Sequence, residues 1–140
     1  PGITAEDYYI DIMTANLVKP GTREKFQVFV LPNLYGDIIT DEAAQLQGGV
    51  GTAGSANMGD QYAMFEAVHG SGLRMMEEGR GDYANPASIL KAAELMLRHI
   101  ARNDAADRLL AAMDRCDVKI TGRPDGATAA QYADAIMALL

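Results

Sequence analysis

A single cysteine, Cys116, stands in this chain of 140 residues, and one thiol cannot build a disulfide framework. A reducing, cytoplasmic setting fits that usage. Basic residues are also scarce. Twelve Lys plus Arg against 19 Asp plus Glu leave a net charge of −7, the wrong sign for a nucleic-acid footprint or an anionic membrane surface. No apolar run approaches the ~20 residues that span a bilayer, and no signal-peptide pattern opens the chain. Low-complexity tracts, internal repeats, a Ser/His/Asp triad, a zinc-ligand cluster and a P-loop are all missing. What remains is a globular composition, 49% hydrophobic and 22% charged, with enough length for one ordinary domain. The chain opens Pro1-Gly2-Ile3 without an initiating methionine, so a piece of something longer is expected.

Periodicity predicts a mixed α/β pattern with few strands. Thr4 and Asp7 have capping-box spacing, and Tyr8, Ile12, Ala15 and Val18 then recur at helical intervals up to Lys19-Pro20-Gly21. Phe26, Val28, Val30 and Leu31 read as a short buried strand, followed by a helix over 35–47. Residues 48–59 hold five glycines and read as a flexible loop; 62–68 reads as a strand and 73–78 as a short helical turn. Asn85-Pro86 reads as an N-cap with proline in the first helical position. The helix it opens runs through Ile89, Ala93, Met96 and Ile100. Asn103 is expected to cap a further helix carrying Ala106, Leu109, Leu110 and Met113. Val118-Lys119-Ile120 looks like an edge strand, and 127–140 like a terminal amphipathic helix.

Asp37 and Asp41 are the first candidates for chemistry. Four residues apart, they share one helix face, and an uncompensated like-charge pair costs roughly 0.2–0.5 kcal/mol. A divalent cation would turn that cost into a binding site, with Asp11 on the preceding helix as a third hard oxygen donor. A solvated face is the bland alternative. Against it stand Asp37 in an expected first turn, where the helix dipole favours an anion, and the apolar Ile38-Ile39 flank. Gly49-Val50-Gly51-Thr52-Ala53-Gly54 has the spacing G-x-G-x-x-G. It follows a helix rather than a strand, however, and the residue 20 positions past Gly54 is Arg74, not an acid. A Rossmann fingerprint is therefore rejected in favour of a hinge or a loop lying close to a ligand. His69-Gly70 after a strand could lay a ring and open backbone against a planar ligand, or be a histidine satisfied by backbone. His99 reads as compensating a helix C-terminus, and the eight methionines as core filler.

Taken in order, Asn33-Leu34-Tyr35-Gly36-Asp37 through Asp41, the 48–54 glycine run, Ser55-Ala56-Asn57, Phe65-Glu66-Ala67-Val68-His69-Gly70-Ser71 and Ala84-Asn85-Pro86 resemble one family. It is the isocitrate/3-isopropylmalate dehydrogenase family of metal-dependent, β-decarboxylating enzymes. The resemblance runs from about Tyr9 to the last helix and weakens after Arg102. It implies the C-terminal part of that α/β fold, an incomplete sheet flanked by helices. Residues 1–47 would belong to the small, dimer-forming domain and 48–140 to the large, cofactor-binding domain.

The same resemblance implies Mg²⁺ or Mn²⁺ bound by Asp37 and Asp41, with Asp11 reaching into the partner subunit's site in a homodimer. It implies a 2-hydroxy acid substrate, isocitrate first, with isopropylmalate, homoisocitrate or a regulatory subunit as alternatives. His69, Gly70 and Asn85 would hold the adenosine end of NAD or NADP, with Ser71 beside them, Glu66 near the nicotinamide and Ser55-Ala56-Asn57 along the cleft. NAD-using members carry an aspartate five residues after this histidine; here that position is Arg74. A guanidinium suits a 2′-phosphate, which leans the reading towards NADP. Gly72-Leu73 replaces the usual Ala-Pro, and Arg123 is a further candidate phosphate contact. The family's substrate-binding arginines, catalytic tyrosine and catalytic lysine are expected upstream of Pro1, so residues 1–140 alone are expected not to turn over.

Overall fold

Helix-forming stretches punctuated by Pro and Gly dominate the chain, and the computed structural model, which describes residues 2–140, shows where each one stops. The chain divides into two compact units, Pro1–Gln47 and Gly48–Leu140.

In the first unit, helix α1 spans Ile10–Val18. It starts well after Thr4: Tyr9 occupies the N-cap without a side-chain bond, so the Thr4–Asp7 box does not form. Lys19 N–H closes the helix onto the Asn16 carbonyl at 3.2 Å, and Gly21, at φ +75°, turns the chain after Pro20. The buried face is Met13 and Leu17, while Ile12 and Val18 remain about half exposed. Two apolar stripes share this helix at the same period, and packing against Ile39 selects the one with Met13 and Leu17. The expected strand is a correction. Arg23–Lys25 forms a 3₁₀ turn and the chain beyond it is extended but unpaired, with Val30 92% exposed. A strand needs a ladder partner, and the described residues of this unit contain no other strand. Helix α2 spans Asn33–Gln47, two residues longer at its start than expected, with the Gly36 N–H bonded to the Pro32 carbonyl at 2.9 Å.

In the second unit, β1 (Gly54–Met58) and β2 (Ala63–Ala67) pair antiparallel, Gly54 opposite Ala67 and Met58 opposite Ala63. The expected flexible loop over 48–59 is thus half strand: pairing with β2 and cover by a helix override the weak strand propensity of Gly, Ser, Ala and Asn. Helix α3 (Leu73–Glu77) follows, then α4 (Ala87–His99), α5 (Asn103–Arg115) and α6 (Ala129–Leu139). α4 lies on the hairpin so closely that a Cβ on Gly54 would sit 2.4 Å from the Ala92 nitrogen; only glycine fits there. Its buried residues are Ser88, Ala92 and Glu94, and the expected stripe of Ile89, Met96 and Ile100 is exposed. Asn103 is the first helical residue of α5 rather than its cap, and residues 118–120 are extended without a strand partner. Thr128 and Gln131 cap α6 reciprocally. Leu109, Ala112, Met113, Tyr132 and Ile136 form the core between α5 and α6. Glu94 and Asp107 both pair with Arg98, which ties α4 to α5. The α/β class stands, as a two-stranded sheet accompanied among the described residues by six α-helices. None of those helices is long and apolar enough to cross a membrane.

Candidate functional site

A cavity of about 220 Å³ opens in the second unit, and three of the stretches that line it carry the candidate residues. The first is the 3₁₀ turn Val50–Thr52, which Gly49 enters at φ +107° and the Thr52 hydroxyl closes by donating to the Gly49 carbonyl at 2.8 Å. The second is the loop after β2, which ends where Gly72, in the left-handed region, starts α3. The third is the start of α4. There the Asn85 side-chain oxygen accepts from Ala87 N–H at 3.0 Å, so the residue caps the helix although Pro86 stands between them. That use of the oxygen leaves the amide NH₂ as the donor Asn85 can offer.

Gly51, His69, Gly70, Ser71 and Asn85 all line this cavity. Of the glycine stretch, Val50 and Gly51 line it. His69 is exposed and its Nδ1 is 3.0 Å from the Gly70 carbonyl. Met75 and Met76, expected in a core, line the cavity instead, while Met13 and Met113 are core residues. The volume is below the roughly 300–1,000 Å³ of whole-ligand pockets.

Glu66 and Arg74 are not on this wall. Glu66 is exposed on β2 and accepts from the Asn57 amide at 2.9 Å across the hairpin. Arg74 projects from the first turn of α3, 90% exposed, and donates to Glu78 at 2.8 Å. Arg80 donates to the other Glu78 oxygen and to the Gly122 carbonyl. These hydrogen bonds, Arg80's ahead of Arg74's, hold the Glu78 carboxyl below the ordinary range, with a smaller contribution from the charge of Arg123. Arg123 itself is exposed in the turn beyond Gly122.

The three aspartates lie in the first unit, all exposed. Asp37 and Asp41 are one turn apart on α2. Because the helix begins at Asn33, Asp37 is past its first turn, where the dipole no longer favours an anion. Neither forms an ion pair among the described residues. The Asp11 carboxylate accepts from Ile12 N–H at 2.8 Å. Among the described residues no three His, Cys, Asp or Glu side chains gather to hold a metal ion. Two open carboxylates on one helix face still fit a share of a hard-cation site whose other oxygens come from elsewhere.

Ser88 went unnoticed in the sequence. It is fully buried in α4, and its signal is a lone hydroxyl one turn before the fully buried Ala92 on the same helix face.

The family model described as isocitrate/isopropylmalate dehydrogenase matches residues 1–125. An isocitrate dehydrogenase [NADP] of Rickettsia bellii is 54% identical over 107 residues, covering 76% of this chain and 21% of that protein. A 3-isopropylmalate/3-methylmalate dehydrogenase of Methanocaldococcus jannaschii is 43% identical over 113 residues, 80% of this chain and 32% of its own length. The crystal structure of isocitrate dehydrogenase from Methylococcus capsulatus superposes with a TM-score of 0.79 at 34% identity, covering 93% of this chain and 39% of that one. The chain thus spans between about a fifth and two fifths of the length of these proteins.

Proposed function

Because this chain belongs to the isocitrate/isopropylmalate dehydrogenase family, we propose that it is the C-terminal part of a divalent-metal-dependent enzyme that oxidatively decarboxylates isocitrate and passes hydride to NADP. The observation that carries this reading is the cavity: Gly51, His69, Gly70, Ser71 and Asn85, drawn from three separate stretches, line one space. His69 offers an exposed ring, Gly70 uncovered backbone and Asn85 a free amide donor, groups suited to a planar base and its sugar. Arg74, next in α3 to the cavity-lining Met75, supports NADP over NAD. Its guanidinium would exchange Glu78 for a 2′-phosphate, and solvent screening of this exposed pair keeps that exchange inexpensive. Glu66, on the strand leading to the cavity, would face the nicotinamide side.

Asp37 and Asp41 would hold Mg²⁺ or Mn²⁺ together, and Asp11 would serve the partner subunit's site in a homodimer. When bound, the cation supplies Lewis-acid polarisation of the substrate's C2 oxygen. No residue among these 140 is assigned a proton-transfer role. The single cysteine accords with a reducing, cytoplasmic setting. A second reading, 3-isopropylmalate as substrate, is favoured by the relative that carries that name.

Assay of the full-length protein for reduced nicotinamide tests both. Isocitrate with Mn²⁺ and NADP should give turnover that chelation abolishes, with a higher KM for NAD. Turnover with 3-isopropylmalate alone would shift the substrate, and reduction of neither dinucleotide with either acid would overturn the enzyme reading.

A further inference from the structure

Ser88 sits in the first turn of α4 with no exposed surface, and nothing in the proposed chemistry uses its hydroxyl. That hydroxyl donates to the Ala53 carbonyl and accepts from the Val68 N–H at 3.1 Å. Each of these backbone groups borders a different wall of the cavity. Ala53 directly follows the Val50–Thr52 turn, and Val68 directly precedes His69. Ser88 stands three residues after Asn85, on the third wall. One side chain therefore ties the stretch after the glycine turn, the loop after β2 and the start of α4 to one another. Serine suits the place because a hydroxyl both donates and accepts and is small enough for the space. The neighbouring Gly54 admits no side chain against Ala92. A nucleophilic role is excluded by geometry: the hydroxyl proton and an acceptor position are both engaged by backbone, away from solvent.

We propose that Ser88 is a positioning residue of the dinucleotide cavity, holding Gly51, His69 with Gly70, and Asn85 at the mutual spacing needed to act on one ligand. The proposal rests on reading that cavity as part of a nicotinamide dinucleotide site. Removing the hydroxyl leaves a part-buried carbonyl and a part-buried N–H without this partner, and the two walls can then separate.

The test uses the full-length protein with Ser88→Ala, and Leu109→Ala in the α5 core as the destabilised control. Two quantities are read well below both melting temperatures. One is the Kd for NADP and NAD by calorimetry; the other is amide hydrogen exchange of residues 68–72 without ligand. Ser88→Ala should weaken dinucleotide binding about tenfold (about 1.4 kcal/mol) and speed exchange across 68–72. Ser88→Cys, a weaker hydrogen-bonding group of similar shape, should recover part of both. Leu109→Ala should lower Tm and leave both unchanged. Unaltered affinity and exchange in Ser88→Ala overturn the proposal, as does an equal loss in Leu109→Ala. If the unsubstituted protein binds neither dinucleotide, the functional reading fails and exchange alone decides. Faster 68–72 exchange confined to the Ser88 variants keeps the positioning role, and its absence removes it. Should Ser88→Ala not fold, Ser88→Cys stands in the same comparison, with partial loss of affinity supporting the proposal and none overturning it.

Discussion

Asp37 and Asp41 stand exposed on α2 without an ion-pair partner among the described residues, whereas Gly51 and Asn85 belong to the turn and the helix start that shape the cavity they line. The unit carrying the aspartates has a small core of Met13, Leu17 and Ile39 and leaves Val28, Val30 and Leu34 largely exposed. The unit carrying the cavity has a larger core between α5 and α6 and a hairpin pressed against α4. The difference bears on how each proposed function can be altered. An exposed carboxylate holds up nothing else, so replacing it should change ligand binding and little besides. A cavity residue that also caps or turns the chain cannot change without moving the wall.

The largest expected effect lies in the core behind the cavity. Ile136 is 3% exposed in α6, and Ile136→Ala should cost about 2–5 kcal/mol through lost burial and a residual void. Denaturant titration of the full-length protein checks it; a loss below about 1 kcal/mol would show that this core collapses easily and erase the contrast between the units. Next comes Asp41→Asn. Calorimetry with Mn²⁺ should show affinity reduced at least about tenfold, about 1.4 kcal/mol, while stability moves by less than about 0.5 kcal/mol, as for other exposed sites. Unchanged Mn²⁺ affinity removes the metal-site reading.

The smallest effect is at Glu78. Its carboxyl is held below the ordinary 4.5, first by Arg80 and then by Arg74. The folded pKa is the lower one, so the stabilising contribution is fully present above 4.5 and is lost as pH falls through the folded value. Side-chain Nε–H resonances of Arg74 and Arg80 should report that loss as an acid step, weakened by salt and absent in Glu78→Gln. A step that persists in Glu78→Gln would assign it to another group.

Particular residues show what could be read in advance. Thr128 with Gln131 forms the cap of the last helix at a spacing visible in the chain, and Pro20-Gly21 stops α1 where a breaker pair should. Local rules suffice there, because the bonds involved join residues three or four apart. They fail for faces and for strands. Both the Tyr8–Ile12–Ala15–Val18 and the Met13–Leu17 stripes have helical period, and packing against Ile39, Phe26 and Leu31, outside the helix, selects between them. Likewise 26–31 has strand composition without a partner, while 54–58 lacks the composition and has one.

By itself, the sequence determined the family, the stop of α1 at Pro20-Gly21, the reciprocal cap of Thr128 and Gln131, and the residue types available for chemistry: the paired carboxylates, His69-Gly70-Ser71 and Asn85. Those are properties of order and spacing along the chain. Tertiary structure decided that Gly51 joins His69 and Asn85 on one cavity and that Ser88 binds the walls together. Each of these joins backbone or side chains through packing and hydrogen bonds, between partners 16 to 35 positions apart. No local periodicity encodes which distant groups will meet.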